Sequence, residues 1–178
     1  MKRTELLTKI DAAIRSRNPK LKEQLCRGLS KDALAKKLSK VPGGIEPLVD
    51  LYSWHNGTEP QRFQDEGRFL ISFEDLSVVP CELLIFHGID MMLAHFGSWS
   101  AATKAQPFLK KVAGTCFPFL WDGSTTWLGL DLNSKSAERV LVVDFESDKP
   151  VREAYPSFDE CLEDILFANQ NGVQMRFQ

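Results

Sequence analysis

The 178-residue sequence has no apolar stretch long enough to cross a bilayer uninterrupted. Its longest apolar-leaning segment, Val78 to Phe96, is broken by Pro80, Glu82, His87 and Asp90. Those residues exclude a membrane span and point to a buried helix. The first residues, MKRTELLTKIDAAIRSR, are basic but lack the apolar region of a signal peptide. The expected location is therefore the cytoplasm. Cysteine is sparse and scattered: Cys26, Cys81, Cys116 and Cys161 lie 55, 35 and 45 residues apart, and none forms a CxxC or other close pair. That spacing supports neither a zinc site nor a redox motif, and all four read as reduced, mostly buried thiols.

The linear signatures of catalysis are missing too. No GxGxxG or GKS/GKT phosphate loop occurs, and Gly97-Ser98-Trp99-Ser100 does not form a GxSxG elbow. The three histidines have scattered neighbours that do not define a base. Basic residues concentrate in one short segment without a recognisable groove-reading module, which argues against direct nucleic-acid binding. The expectation is a non-catalytic chain with no cofactor and no metal.

What is present is core material. The chain is 43% hydrophobic and 26% charged, with twelve Phe and four Trp, enough for one domain with a ring-rich core or interface. The net charge of −2 hides a division. Residues 1–40 hold twelve Lys/Arg against four Asp/Glu (+8), and residues 41–178 hold ten against twenty (−10). Such asymmetry hints at charged partners, or at a basic helical segment folded onto an acidic body.

Leu6, Leu7, Ile10 and Ile14 share one face of a helix over residues 4–16. Asn18-Pro19 stops it and starts another, with Asn as N-cap and Pro in the first turn. Ser30 is a further N-cap, followed by Leu34, Leu38 and Val41. Residues 1–41 thus form an N-terminal helical extension, and Pro42-Gly43-Gly44 marks the boundary to an α+β domain over 42–178. A helix carrying Leu48, Leu51, Tyr52 and His55 is predicted to end at Asn56-Gly57, with Gly in the left-handed C′ position. A polar loop from Thr58 to Gly67 leads to a short strand, Phe69-Leu70-Ile71. Pro80 opens a helix carrying Leu84, Ile85, Gly88 and Met92, and residues 97–114 read as loops with a short helix near 107–112.

Three strands follow, Cys116–Trp121, Thr125–Leu132 and Arg139–Phe145, with a tight turn at Asp122-Gly123-Ser124. Leu128, Leu130 and Leu132 share a dry face; Trp127, Gly129 and Asp131 share a mixed one. The last element is a helix capped by Ser157 and Glu160 as a capping box, with Phe158, Cys161, Leu162, Ile165 and Leu166 as its apolar stripe. Asp159, Glu160, Glu163 and Asp164 form its wet face, and Asn171-Gly172 ends it. The architecture expected is α+β: an antiparallel meander of about four strands with helices packed against it.

Three segments in order carry a resemblance: Tyr52-Ser-Trp-His-Asn-Gly57, the hairpin from Pro118 to Asp131, and Ser157-Phe-Asp-Glu-Cys-Leu162, with Trp54, His55, Asn56, Gly57, Ser157, Phe158 and Glu160 as the structural motif. Together they resemble the SUKH superfamily, the group of the Smi/Knr-type cell-wall-synthesis regulators, over about residues 32–170. The resemblance implies protein binding without catalytic residues. Many bacterial members are immunity proteins that neutralise toxins, often nucleases, and the yeast-type members are regulatory scaffolds. The partner expected here is a basic toxin; a regulatory scaffold of the cell-wall-regulator kind is the alternative, an uncharacterised enzyme is a third reading, and no oligomeric state is fixed.

Partner-binding candidates are Trp121, Asp122, Trp127, Asp131, Asp144 and Glu146. Trp is enriched at binding hot spots, yet both rings can equally serve the core. Asp131, Asp144, Glu146 and Asp148 admit three readings: a hard-cation site, an acidic partner surface or solvated turn residues. His55-Asn56 can be read as a catalytic pair or, more simply, as a helix cap.

Overall fold

In a computed structural model, residues 2–58, 84–133, 138–173 and 175 are described. The chain has the expected α+β architecture. Helices α1 (Arg3–Arg17) and α2 (Pro19–Gln24) are followed by strand β1 (Leu25–Arg27), α3 (Lys31–Lys37), α4 (Glu46–Trp54) and β2 (His55–Thr58). Then come α5 (Ile89–Ala102), a 3-10 helix (Pro107–Lys111), β3 (Cys116–Trp121), β4 (Thr126–Asp131), β5 (Val140–Asp144), β6 (Val151–Tyr155) and α6 (Phe158–Asn171). Strands β3-β4-β5-β6 make an antiparallel sheet in chain order, and β1 pairs with β2.

The caps that start helices behave as their side chains dictate. Asn18 Oδ1 accepts from Leu21 N at 3.0 Å, and Ser30 Oγ accepts from Ala33 N at 3.3 Å. Ser157 Oγ accepts from Glu160 N at 3.2 Å. The Glu160 carboxylate accepts from the Ser157 hydroxyl at 3.3 Å, rather than from its backbone N–H as in the usual capping box. Gly172 closes α6 in the left-handed conformation.

One contiguous core unites the chain. Leu6, Ile10 and Ile14 of α1 are buried with Leu34, Leu48, Leu128, Val142, Phe158 and Ile165. Helix α1 packs along α6, so the basic N-terminal helices lie on the acidic body. Arg3 locks this contact. Its guanidinium donates to Asp159 (2.8 Å), Asp50 (3.2 Å) and Glu138, and its carbon sits 5.4 Å from the Phe158 ring centre.

Several expectations need correction. Helix α4 stops at Trp54 with His55 as its C-cap, whose N–H donates to Leu51 O, so Gly57 is not the C′ residue; His55 is extended and also opens β2, which pairs with β1 (Arg27 opposite His55). Gly57 does adopt positive φ (+79°), and a Cβ there would also overlap the backbone of His87 and Gly88. The middle helix starts at Ile89, so Leu84, Ile85 and Gly88 precede it; Ile85 instead bridges to Trp121 of β3. That helix runs on to Ala102, through Gly97-Ser98, where loops were expected.

The mixed face of β4 is dry as well: every residue of this strand, including Trp127 (5% exposed) and Asp131 (8%), is buried. Asp164, expected on the wet face of α6, is buried and accepts from the Tyr155 hydroxyl at 2.7 Å. Strand β6 was not expected as a separate element. Cys26, Cys116 and Cys161 form no disulfide, and the last two are buried. The expected strand Phe69–Ile71, the loop ending at Gly67, Pro80 and Cys81 lie outside the described residues.

Candidate partner-binding site

Alternation along β4 sends Trp127 to the side of the sheet covered by α5. Its cross-strand neighbour on β3 is Trp121, and the two indoles stack with centres 5.0 Å apart and planes 11° from parallel. His95 of α5 lies 4.6 Å from Trp127 and 6.2 Å from Trp121, and Trp99 meets Trp127 edge-on at 6.0 Å. His87 adds a further ring, 5.6 Å from Trp121. Contacts of this kind contribute beyond the area they bury.

The imidazoles in this cluster are held neutral. Burial, helped by the nearby His95, pushes His87 down to about 4. Burial also lowers His95 below its ordinary value.

Beside the cluster a cleft of about 310 Å³ opens between α5, the 3-10 helix and the ends of two hairpins. Trp99, Trp127, Leu109 and Phe145 supply apolar walls, and His95, Ser98, Ser124 and Thr125 supply polar atoms. The hairpin walls are tied together, since Phe145 N donates to Thr125 O at 3.1 Å. Because the sheet is a meander, the β3–β4 and β5–β6 turns project from the same end. These turns carry Asp122, Asp144, Glu146 and Asp148. Asp122 Oδ1 accepts from Ser124 N and Thr126 N (2.7 and 3.0 Å), and Asp144 Oδ1 accepts from Glu146 N (2.9 Å). Those bonds fix the turns that shape the cleft. Lys104, just after α5, and Lys110 and Lys111, at the end of the 3-10 helix, are exposed but do not line the cleft.

The six partner-binding candidates therefore divide. Trp121 and Trp127 join one ring cluster, with Trp121 partly exposed and Trp127 in its floor. Asp122, Asp144 and Glu146 sit on the adjacent turns. Asp131 lies at the far end of β4, bonded to Arg139 Nη2 (2.7 Å) and to Asn133 N (3.0 Å) as a buried structural group. Among the described residues no group of three or more His, Cys, Asp or Glu is placed to hold a metal ion.

His55 and Asn56, adjacent on a strand, point apart and do not form a pair. His55 Nδ1 donates to Cys26 O at 2.9 Å, and Nε2 faces Asp11 (2.9 Å) and Lys22 (3.1 Å). Lys22 Nζ also reaches Asp11 at 2.5 Å. Burial alone would raise the Asp11 pKa, but the bonds from Lys22 and His55 outweigh it and hold the carboxyl below its ordinary value. Asn56 Oδ1 turns the other way and accepts from Ile89 N at 3.0 Å, capping α5 from a distant segment. Trp54 lies nearly parallel to Phe86, and Phe158 packs on Phe119, so both motif rings serve the core.

Sequence reasoning missed His95, Ser98, Thr125 and Phe145. The first two did leave a signal: His95, Ser98, Trp99 and Ala102 recur at helical spacing on one face of α5, a pattern hidden while Gly97-Ser98 read as a loop. Compared with protein-family models and with curated proteins, the chain matches none.

Proposed function

We propose that this chain is a non-catalytic protein-binding domain of the SUKH kind, acting as a bacterial immunity protein that neutralises a basic toxin, a nuclease being the best fit. The observation that carries the reading is the end of the sheet. Two turns bearing Asp122, Asp144, Glu146 and Asp148 border a ring-lined cleft containing Trp99 and Trp127. Interfaces draw their energy from aromatic anchors seated in pockets and their association rate from complementary charge. A basic protein would find both here. The three sequence segments resembling the superfamily and the excess of acid over residues 41–178 support the same reading.

The experiment is affinity capture of the tagged chain from its own cells at low and high salt, followed by inhibition of the captured protein in purified form. The expected result is one basic, toxic enzyme, released at high salt and inhibited stoichiometrically. Recovery of wall-synthesis or signalling proteins with no toxin would replace this reading with the scaffold alternative.

A further inference from the structure

We infer that the cleft seats one uncharged aromatic side chain of the partner, a tyrosine by preference, with a basic residue of that partner beside it. The inference rests on the protein-binding reading above and names the chemistry of the contact. Among the described residues, no ionised side chain lines the cleft. A Lys, Arg, Asp or Glu pushed into it would give up its hydration and gain no counter-charge there. Its walls are rings, Trp99, Trp127 and Phe145, whose edges and faces favour another ring. Those walls are braced: Trp127 is held by Trp121, His95 and Trp99, and Phe145 meets Phe108 edge-on at 5.2 Å. A pre-formed pocket adds little ordering cost on binding.

The volume, about 310 Å³, lies at the lower limit of the roughly 300–1,000 Å³ typical of ligand sites. It has room for one ring and its stem, not for an extended ligand. Ser98, Ser124 and Thr125 are hydroxyl-bearing residues of the lining, and Ser98 Oγ, which already donates to His95 O at 2.9 Å, keeps only acceptor capacity, which suits a phenol O–H better than a phenyl. The lips select what flanks the ring. Carboxylates on the two turns call for a basic neighbour.

The test follows the indole N–H signals of ¹⁵N-labelled protein during titration with N-acetyltyrosinamide, N-acetylleucinamide and N-acetylargininamide. The tyrosine amide is expected to shift the Trp99 and Trp127 signals saturably, with a Kd on the order of 1–10 mM for so small a probe. Ala102→Trp, which fills the cleft from the end of α5, should weaken that binding about tenfold or more while leaving the melting temperature close to wild type. Saturable binding of the arginine amide in preference, or a tyrosine shift that survives Ala102→Trp, would overturn the inference. So would capture of the toxin by Ala102→Trp at undiminished affinity, which would leave the proposed function standing. Tyrosine-amide binding by a chain that captures no protein partner would do the reverse, supporting the seat while removing the function.

Discussion

Arg3 shows how much one side chain near the start of the chain can organise. Its guanidinium is 14% exposed and meets carboxylates from α4, from the approach to β5 and from α6. Burial disfavours its charge, but the Asp159 hydrogen bond and the charges of Glu138, Asp159 and Asp50 more than offset this. Arg3→Met, which keeps the stem and removes the charge, is expected to cost about 1–3 kcal/mol, measured by urea denaturation, and to cost less in high salt. His87 acts at the same scale with the opposite sign. Its folded pKa, about 4, lies below its ordinary value of 6.5, so between those values the unfolded chain binds a proton that the folded chain refuses. Stability contributed by this residue is therefore complete above pH 6.5 and falls as the pH drops towards 4. Chemical denaturation at pH 7 and pH 5 should show a smaller acid loss in His87→Leu than in wild type.

At the scale of elements, α5 depends on a residue from elsewhere in the chain. Asn56 Oδ1 caps its first turn, so Asn56→Ala should destabilise by about 1 kcal/mol, and Asn56→Asp, which retains the acceptor, by less. Gly57→Ala should cost more than Asn56→Ala, because it combines positive φ with overlap against His87 and Gly88; thermal melting of the three variants gives the order. The same segment shows what the sequence made legible. Asn18, Ser30 and Ser157 could be read as caps because each bonds a backbone N–H only three residues on, a local fact written locally. The apolar periodicity of α1 and α6 and the apolar runs of β3, β4 and β5 were readable for the same reason. His55-Asn56-Gly57 imitates a helix ending, and only pairing with β1 about thirty residues earlier makes it a strand. Strand β6, with Arg152 and Glu153 at its centre, has no apolar alternation to betray it. Of the candidate site, the two Trp and the acidic turns were visible. The α5 and Phe145 walls were not, since they reach the cleft through tertiary packing.

The molecule as a whole has a single core running through both the basic N-terminal helices and the sheet. Ile10 is fully buried, and Ile10→Ala is expected to cost roughly 2–5 kcal/mol. If the core is cooperative, that loss will appear equally in far-UV circular dichroism and in Trp fluorescence, although all four Trp lie outside α1. Separate transitions would mean that residues 1–41 melt on their own.

The borders of the four-stranded sheet carry a last consequence. Strand β3 contains Pro118, which has no N–H to offer, and its outer side at Trp121 is already engaged by Ile85 in both directions (2.5 and 3.1 Å). The opposite border, β6, presents Arg152 and Glu153. Edges stopped by proline, by an existing bridge and by charge are poor templates for another chain. Under the toxin-neutralising function proposed above, the chain would have to be kept in stock before its target arrives, and such edges would let it accumulate without seeding fibrils of itself.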